Sequence, residues 1–177
     1  MTAGTGSRTY FVLFSSVIVL LLFNNYHVRA DTPDKIDIDI TTHLGDIKNF
    51  LDGDEVSFLI SINRDAHLLV LYQNARNEII QLLPGKDRKN YFIKAGVFIP
   101  LPEPEAPFVF NIQAPFGKET LWVFAADVPL PELKGRYLES GLKKLRGKLS
   151  SIKQTLRAHP KQAYGEAKLR LHTRARK

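Results

Sequence analysis

A period of two along several short stretches of this chain marks them as strands, some with polar residues on one side and some apolar on both. In "EVSFLISIN", Val56, Phe58, Ile60 and Ile62 fall on one side, with Ser57 and Ser61 on the other. "AHLLVLYQ" sets Leu68, Val70 and Tyr72 opposite His67, Leu69 and Leu71. "FVFNIQ" and "TLWVFAAD" repeat the period, with Leu121, Val123 and Ala125 opposing Trp122, Phe124 and Ala126 in the second. "KIDIDITTH", "EIIQLL" and "NYFIKAGVFIPL" carry the same signal more weakly. A period of two places alternate side chains on opposite faces of a sheet.

Turn chemistry separates these runs. Asp52-Gly53-Asp54, Pro84-Gly85 and the polar "GKDRKN" break the chain where strands must end. "PLPEPEAP" (100–107) reads as an extended surface connection, because proline cannot donate to a central ladder. Asn63-Arg64-Asp65 reads as a turn between two strands, and "NARN" (74–77) as the close of a hairpin. The pattern predicts a mostly β protein: an antiparallel, immunoglobulin-like β-sandwich of about seven or eight strands over residues 31–130.

Periodicity changes after Pro131. Leu138, Leu142, Leu145, Leu149, Ile152 and Leu156 recur at spacings of four and three. That spacing predicts one amphipathic helix, stopping before Pro160, and "AKLRLHTR" then predicts a final half-buried strand at a sheet edge. Three roles compete for the helix. It docks on the outer sheet face that Leu59, Leu69, Leu71, Trp122 and Phe124 leave apolar; it forms a coiled coil; or it lies on an anionic membrane. The first is favoured, since apolar stripes usually face a core and Gly141 and Gly147 weaken a coiled coil.

Charge sharpens the division. Residues 31–130 hold 9 basic and 15 acidic residues, whereas residues 131–177 hold 14 and 3, so the net +7 of the chain conceals an acidic body and a basic end. Lys143, Lys144, Arg146, Lys148, Lys153 and Arg157 occupy the polar positions of the expected helix and form a candidate interaction surface. Anionic lipid or a cell-wall polymer is one partner such a face attracts. Basic residues do not interleave with exposed aromatics as single-strand binders require, and nucleic acid is not the expected partner.

The first 30 residues have the layout of a secretory signal peptide. Arg8 precedes the apolar run "FVLFSSVIVLLLF", and Val28 and Ala30 fit the small-residue positions before a cleavage after Ala30. An uncleaved anchor is the competing reading, but Asn24 and Asn25 end the run well short of the roughly 20 apolar residues that span a bilayer. A periplasmic or secreted location follows. Cysteine is absent, which removes disulfides, thiolate metal sites and a cysteine nucleophile.

Catalytic chemistry does not assemble. No phosphate loop, Gly-x-Ser-x-Gly, His-Glu-x-x-His or calcium-loop spacing occurs. His67 has no second histidine at ligand spacing and reads as a half-exposed strand residue. Asp37 with Asp39, and Glu103 with Glu105, read as solvated carboxylates. No catalytic, cofactor-binding or metal-binding residue is assigned, and the chain reads as non-enzymatic.

Gly53-Asp54, Asn63-Arg64-Asp65, Leu82-Pro84, Asn90, Ala95-Gly96, Pro100 and Pro115-Gly117-Glu119 occur in an order that resembles the bacterial domain of unknown function numbered four-three-eight-four. The likeness spans roughly residues 50–128. His67 stands where that family has an aromatic, and Arg76-Asn77 where it often has Asp-Gly. The resemblance implies a β-sandwich accessory domain, often attached to peptidases, kinases or envelope proteins, and implies no catalytic residues. The expected function is an exported adaptor of the bacterial envelope that binds a protein partner.

Overall fold

The computed structural model describes Met1 and residues 35–45, 48–158 and 163–177. The leader expected over residues 1–30 lies, Met1 aside, outside the described residues. Everything below concerns the unit Asp31–Lys177.

Eleven strands and one helix follow in the order β1 (Ile38–Thr42), β2 (Asn49–Leu51), β3 (Phe58–Ile62), β4 (Ala66–Gln73), β5 (Ile79–Leu83), β6 (Phe92–Ile93), β7 (Ile99–Leu101), β8 (Lys118–Ala126), β9 (Gly135–Tyr137), β10 (Lys143–Leu145), α1 (Leu149–Leu156) and β11 (Tyr164–Arg174). They form a three-stranded sheet, β1-β3-β7, and an eight-stranded sheet, β2-β11-β8-β4-β5-β10-β9, with β6 paired to the start of β4. Every pairing is antiparallel except β2 with β11. The fold is mostly β, as the alternation predicts.

The alternation also decides what each face meets. Phe58, Ile60 and Ile62 of β3 pack across the interior against Leu68, Val70 and Tyr72 of β4 and Leu121, Val123 and Ala125 of β8. Cross-strand register keeps these sets together, with Leu68 opposite Ala125, Val70 opposite Val123 and Tyr72 opposite Leu121. The other parity of the same strands, Leu69, Leu71 and Phe124, forms a second apolar cluster with Leu133, Leu145, Ile152 and Leu156. The central strands of the large sheet are therefore covered on both faces, by the small sheet and by α1.

Helix α1 exists because of that packing. It has eight residues, no side-chain cap at Lys148 and no acid in its first turn. Isolated helices below roughly 12 residues are marginal in water even with favourable sequences. Ile152 and Leu156 are buried, and each such side chain removed from water contributes about 2 kcal/mol. The expected docking of the helix on the outer face of the sheet is what the structure has. Leu59 is the exception in the set expected beneath it: it lies in the small sheet and is exposed.

Three expectations need correction. The apolar stripe from Leu138 to Leu156 is not one helix: its first half is the β9–β10 hairpin. Gly141 and Gly147 have φ of 79° and 99°, in the left-handed region that glycine tolerates and a helix excludes. Leu138 donates its backbone N–H to Leu142 at 2.7 Å and Gly141 donates to Leu138 at 3.0 Å, which closes the hairpin. Second, β11 is not an edge strand. Its whole length from Tyr164 to His172 pairs with β8, and His172–Arg174 pair with β2 on the other side. Near its start, a Cβ on Gly165 would stand 2.2 Å from the Ile36 carbonyl oxygen, so the chain before β1 closes on that side as well. Third, "FVFNIQ" contributes only an isolated bridge between Asn111 and Glu55, not a strand.

Candidate functional site

Turns that look chemical in sequence prove to be structural. The Asn63–Asp65 segment links β3 of one sheet to β4 of the other. Asn63 Oδ1 accepts from the Asp37 backbone N–H at 2.9 Å, and Asp65 Oδ1 accepts from that of Ala95 at 2.8 Å. At the β4–β5 hairpin, Asn74 Oδ1 accepts from the N–H groups of Arg76 and Glu78 at 3.0 and 2.9 Å. Asn77 there has φ of 62°, a conformation asparagine tolerates well. These side chains satisfy backbone groups at bends, which is the physical reason Asn and Asp populate turns.

The six cations of the candidate surface do not share a helical face. Lys143 and Lys144 lie on β10, Arg146 follows it, Lys148 caps α1, and Lys153 and Arg157 lie in or just past its last turn. Four of them are paired. Lys144 Nζ contacts Glu78 Oε1 at 2.5 Å, and Lys143 Nζ contacts Glu132 Oε1 at 2.9 Å. Lys153 and Arg157 both bind the Glu166 carboxylate on β11, Arg157 at 2.5 Å. Lys153 Nζ also lies 3.6 Å from the centre of the Trp122 ring, close enough for a cation–π attraction. Among the described residues, Arg146 and Lys148 have no ion-pair partner.

Glu166 is thus the clasp between the helix and the sheet. Burial alone would push its carboxyl up, but the hydrogen bonds from Lys153 and Arg157 outweigh it and hold the group below the ordinary carboxylate range. A depressed carboxyl contributes stability above its unfolded pKa and loses it as pH falls through the folded one. Glu166→Gln is expected to cost about 1–2 kcal/mol at neutral pH, and the difference from the native chain should begin to shrink below about pH 4.3 and vanish only below the depressed folded value. Paired denaturant titrations at pH 7 and pH 3 check this.

Burial is asymmetric in the other pairs. The Lys143 side chain is 6% exposed, while that of its partner Glu132 is 83% exposed. Hydrogen bonding to Lys143 holds the Glu132 carboxyl below its usual range, with Lys89 adding a smaller favourable field. In the core, Glu119 of β8 is 3% exposed and accepts from the Tyr72 hydroxyl, with Ala75 and Thr173 nearby as smaller favourable influences on its charge. Burial outweighs these and pushes the Glu119 carboxyl up, and it pushes the Tyr72 hydroxyl up as well.

Two concavities stand out among the described residues. A groove of about 420 Å³ lies between the end of β5 (Leu82, Leu83), the hairpin residue Leu142 and the proline-rich segment Pro104–Phe108. Charges of both signs rim it: Lys86, Asp87, Arg88, Glu103 and Glu105. A smaller cavity of about 190 Å³ lies on the helix side of the large sheet, walled by His67, Gln81, Lys143, Glu132, Tyr137 and the β5–β6 loop. The His67 ring packs edge-on against Phe92, and its buried Nδ1 has no hydrogen-bond partner among the described residues. No group of three or more His, Cys, Asp or Glu side chains able to hold a metal occurs among the described residues.

Sequence reasoning did not find either concavity. The groove unites three segments more than 15 residues apart, and its one local signal, the proline run, reads only as a linker. The cavity depends on Lys143 entering the sheet, which the expected helix precluded.

No curated protein and no solved structure matches the chain. A family does match: "Domain of unknown function (DUF4384)", over residues 49–129. That interval runs from β2 to just past β8 and holds the facing strands β3, β4 and β8, so the segment 49–129 of this chain matches the DUF4384 domain family, with β1 and β9–β11 outside the match.

Proposed function

We propose that the protein is a non-enzymatic accessory module of the bacterial envelope, exported by its leader, which holds an extended apolar segment of a protein partner in the groove beneath the proline-rich loop. The observation that carries the reading is the groove itself. Its floor is aliphatic, from Leu82, Leu83 and Leu142, and its outer wall is Pro104, Ala106, Pro107 and Phe108. Prolines cannot add a strand, so recognition there rests on shape and apolar contact instead of main-chain pairing. The mixed-sign rim favours a segment whose apolar residues are flanked by charged ones.

The rival role, attachment to anionic lipid or cell-wall polymer through the basic helix, is the less favoured reading. A membrane-surface helix needs a free apolar stripe and free cations. Ile152 and Leu156 are already packed on the sheet, and Lys153 and Arg157 are both engaged by the one Glu166 carboxylate.

A photo-crosslinking residue at Glu105, in the full-length chain in its native envelope, is expected to trap one defined protein. The same residue at Lys148 should trap none. Phe108→Ser should weaken the Glu105 adduct several-fold or more while leaving thermal stability unchanged. Equal adducts from both positions, or an adduct indifferent to Phe108→Ser, contradict the reading.

A further inference from the structure

Lys143 is an unusual cation. It is fixed on β10 between two partner strands, opposite Gln81 on one side and Tyr137 on the other. Its side chain is only 6% exposed, and its Nζ lies 5.3 Å from the centre of the Tyr137 ring. A buried ammonium requires an anion beside it, because desolvation of an unpaired charge costs several kcal/mol, order of magnitude. Its carboxylate partner is Glu132, at 2.9 Å, and that side chain is 83% exposed. The cation is rigid and the anion is not. Glu132 hangs from the connection between β8 and β9, and its carboxylate is free to give way to solvent once another anion pairs with Lys143.

The surroundings are cationic beyond what one carboxylate offsets. Lys86 and Lys89 line the same cavity as Lys143, and among the described residues Glu132 is the one acid in its wall. Arg88 also lines it but is drawn toward Glu103, 3.5 Å away, and stacks over Tyr91. Three lysines against one exposed glutamate leave a surplus of positive charge around about 190 Å³. That volume lies below the roughly 300–1,000 Å³ of pockets for drug-sized ligands. Lysines present point charges in place of the planar fork with which arginine grips a carboxylate, so they suit a compact, multiply charged oxyanion.

We propose that this cavity is a phosphate-sized oxyanion site, in which Lys143 is the fixed ligand-binding cation and Glu132 is an internal stand-in that the ligand displaces. Lys86 and Lys89 complete the positive wall. The site adjoins the groove, sharing Lys86 and Arg88 with its lining, but the assignment of Lys143 and Glu132 does not rest on what the groove binds.

Titration of the full-length chain with inorganic phosphate by calorimetry tests this. The native chain should bind one phosphate saturably. Glu132→Gln removes the internal competitor and should tighten binding about tenfold or more, the worth of a charge-assisted hydrogen bond to the ligand's rival. Lys143→Gln should weaken binding at least about tenfold. Should Lys143→Gln fail to fold, the gain in Glu132→Gln carries the test alone, since misfolding does not produce tighter binding. Glu139→Gln, which removes an equal charge outside the cavity wall, should leave affinity unchanged. Absence of saturable binding in both the native chain and Glu132→Gln overturns the proposal. So does an equal gain from Glu139→Gln, which would mean a diffuse field in place of a site. Acetate binding Glu132→Gln as tightly as phosphate would overturn the assignment of ligand class.

Discussion

Replacing Leu156 with alanine is expected to lower the unfolding free energy by about 3 kcal/mol, within the range for truncating a fully buried leucine. Leu156 has 0% exposure and closes the second apolar cluster over Phe124 and Leu71. Helix α1 has eight residues and no side-chain cap, so little besides this packing holds it. Its loss would uncover the outer face of β4 and β8. Leu138→Ala is the informative comparison. Leu138 belongs to the same sequence stripe but sits at the β9–β10 turn, only partly buried and outside both clusters. It should cost less than about 1 kcal/mol. Chemical denaturation of the two variants checks the contrast, and equal losses would restore the single long helix that the spacing predicts.

The second large effect concerns Glu119. Glu119→Ala is expected to cost about 3 kcal/mol, because it leaves the buried Tyr72 hydroxyl without its acceptor and opens a cavity in the core. The native residue also carries a pH signature opposite in sign to that of Glu166. Burial raises its carboxyl pKa in the folded state. A raised carboxyl favours folding most when protonated, so its contribution is fully present below the unfolded value near 4.3 and declines as pH rises through the folded one. Glu119→Gln, neutral at every pH, should remove that decline and flatten the stability profile above about pH 4. Equilibrium unfolding between pH 4 and pH 8 measures it, and a Glu119→Gln profile parallel to the native one would show that the carboxyl is not the source.

Much of this architecture is legible in the chain. Residues Ala66–Gln73 form β4 with the bounds the alternation gives, and its two side-chain sets face the two apolar clusters. Leu68–Tyr72 is a continuous apolar run there because both faces are covered by different partners. The C-terminal region misleads for an equally physical reason. Spacings of four and three are satisfied by Leu145 at a strand end and Ile152 and Leu156 on a short helix, since all three need only reach one cluster. Gly141 and Gly147 held the corrective signal: two glycines inside one helix of that length argue for turns. The acidic body and basic end are visible in composition, but their matching is not. Lys144 meets Glu78 across 66 residues of chain, and Arg176 meets Asp54 across 122. Charges that look free in a one-dimensional count are spent on holding the chain's end to its body. The groove and the small cavity share this long-range origin and leave no local pattern to read.

Amide hydrogen exchange over Ile152–Arg157 in the full-length chain, with and without anionic vesicles, bears most directly on the claim that α1 is part of the sandwich and not a free basic arm. The account predicts protection close to that of β4 and β8, unchanged by vesicles, because the helix can open only when the outer sheet face is uncovered. Exchange near the rate of an unstructured peptide, or protection gained only on adding vesicles, would contradict it.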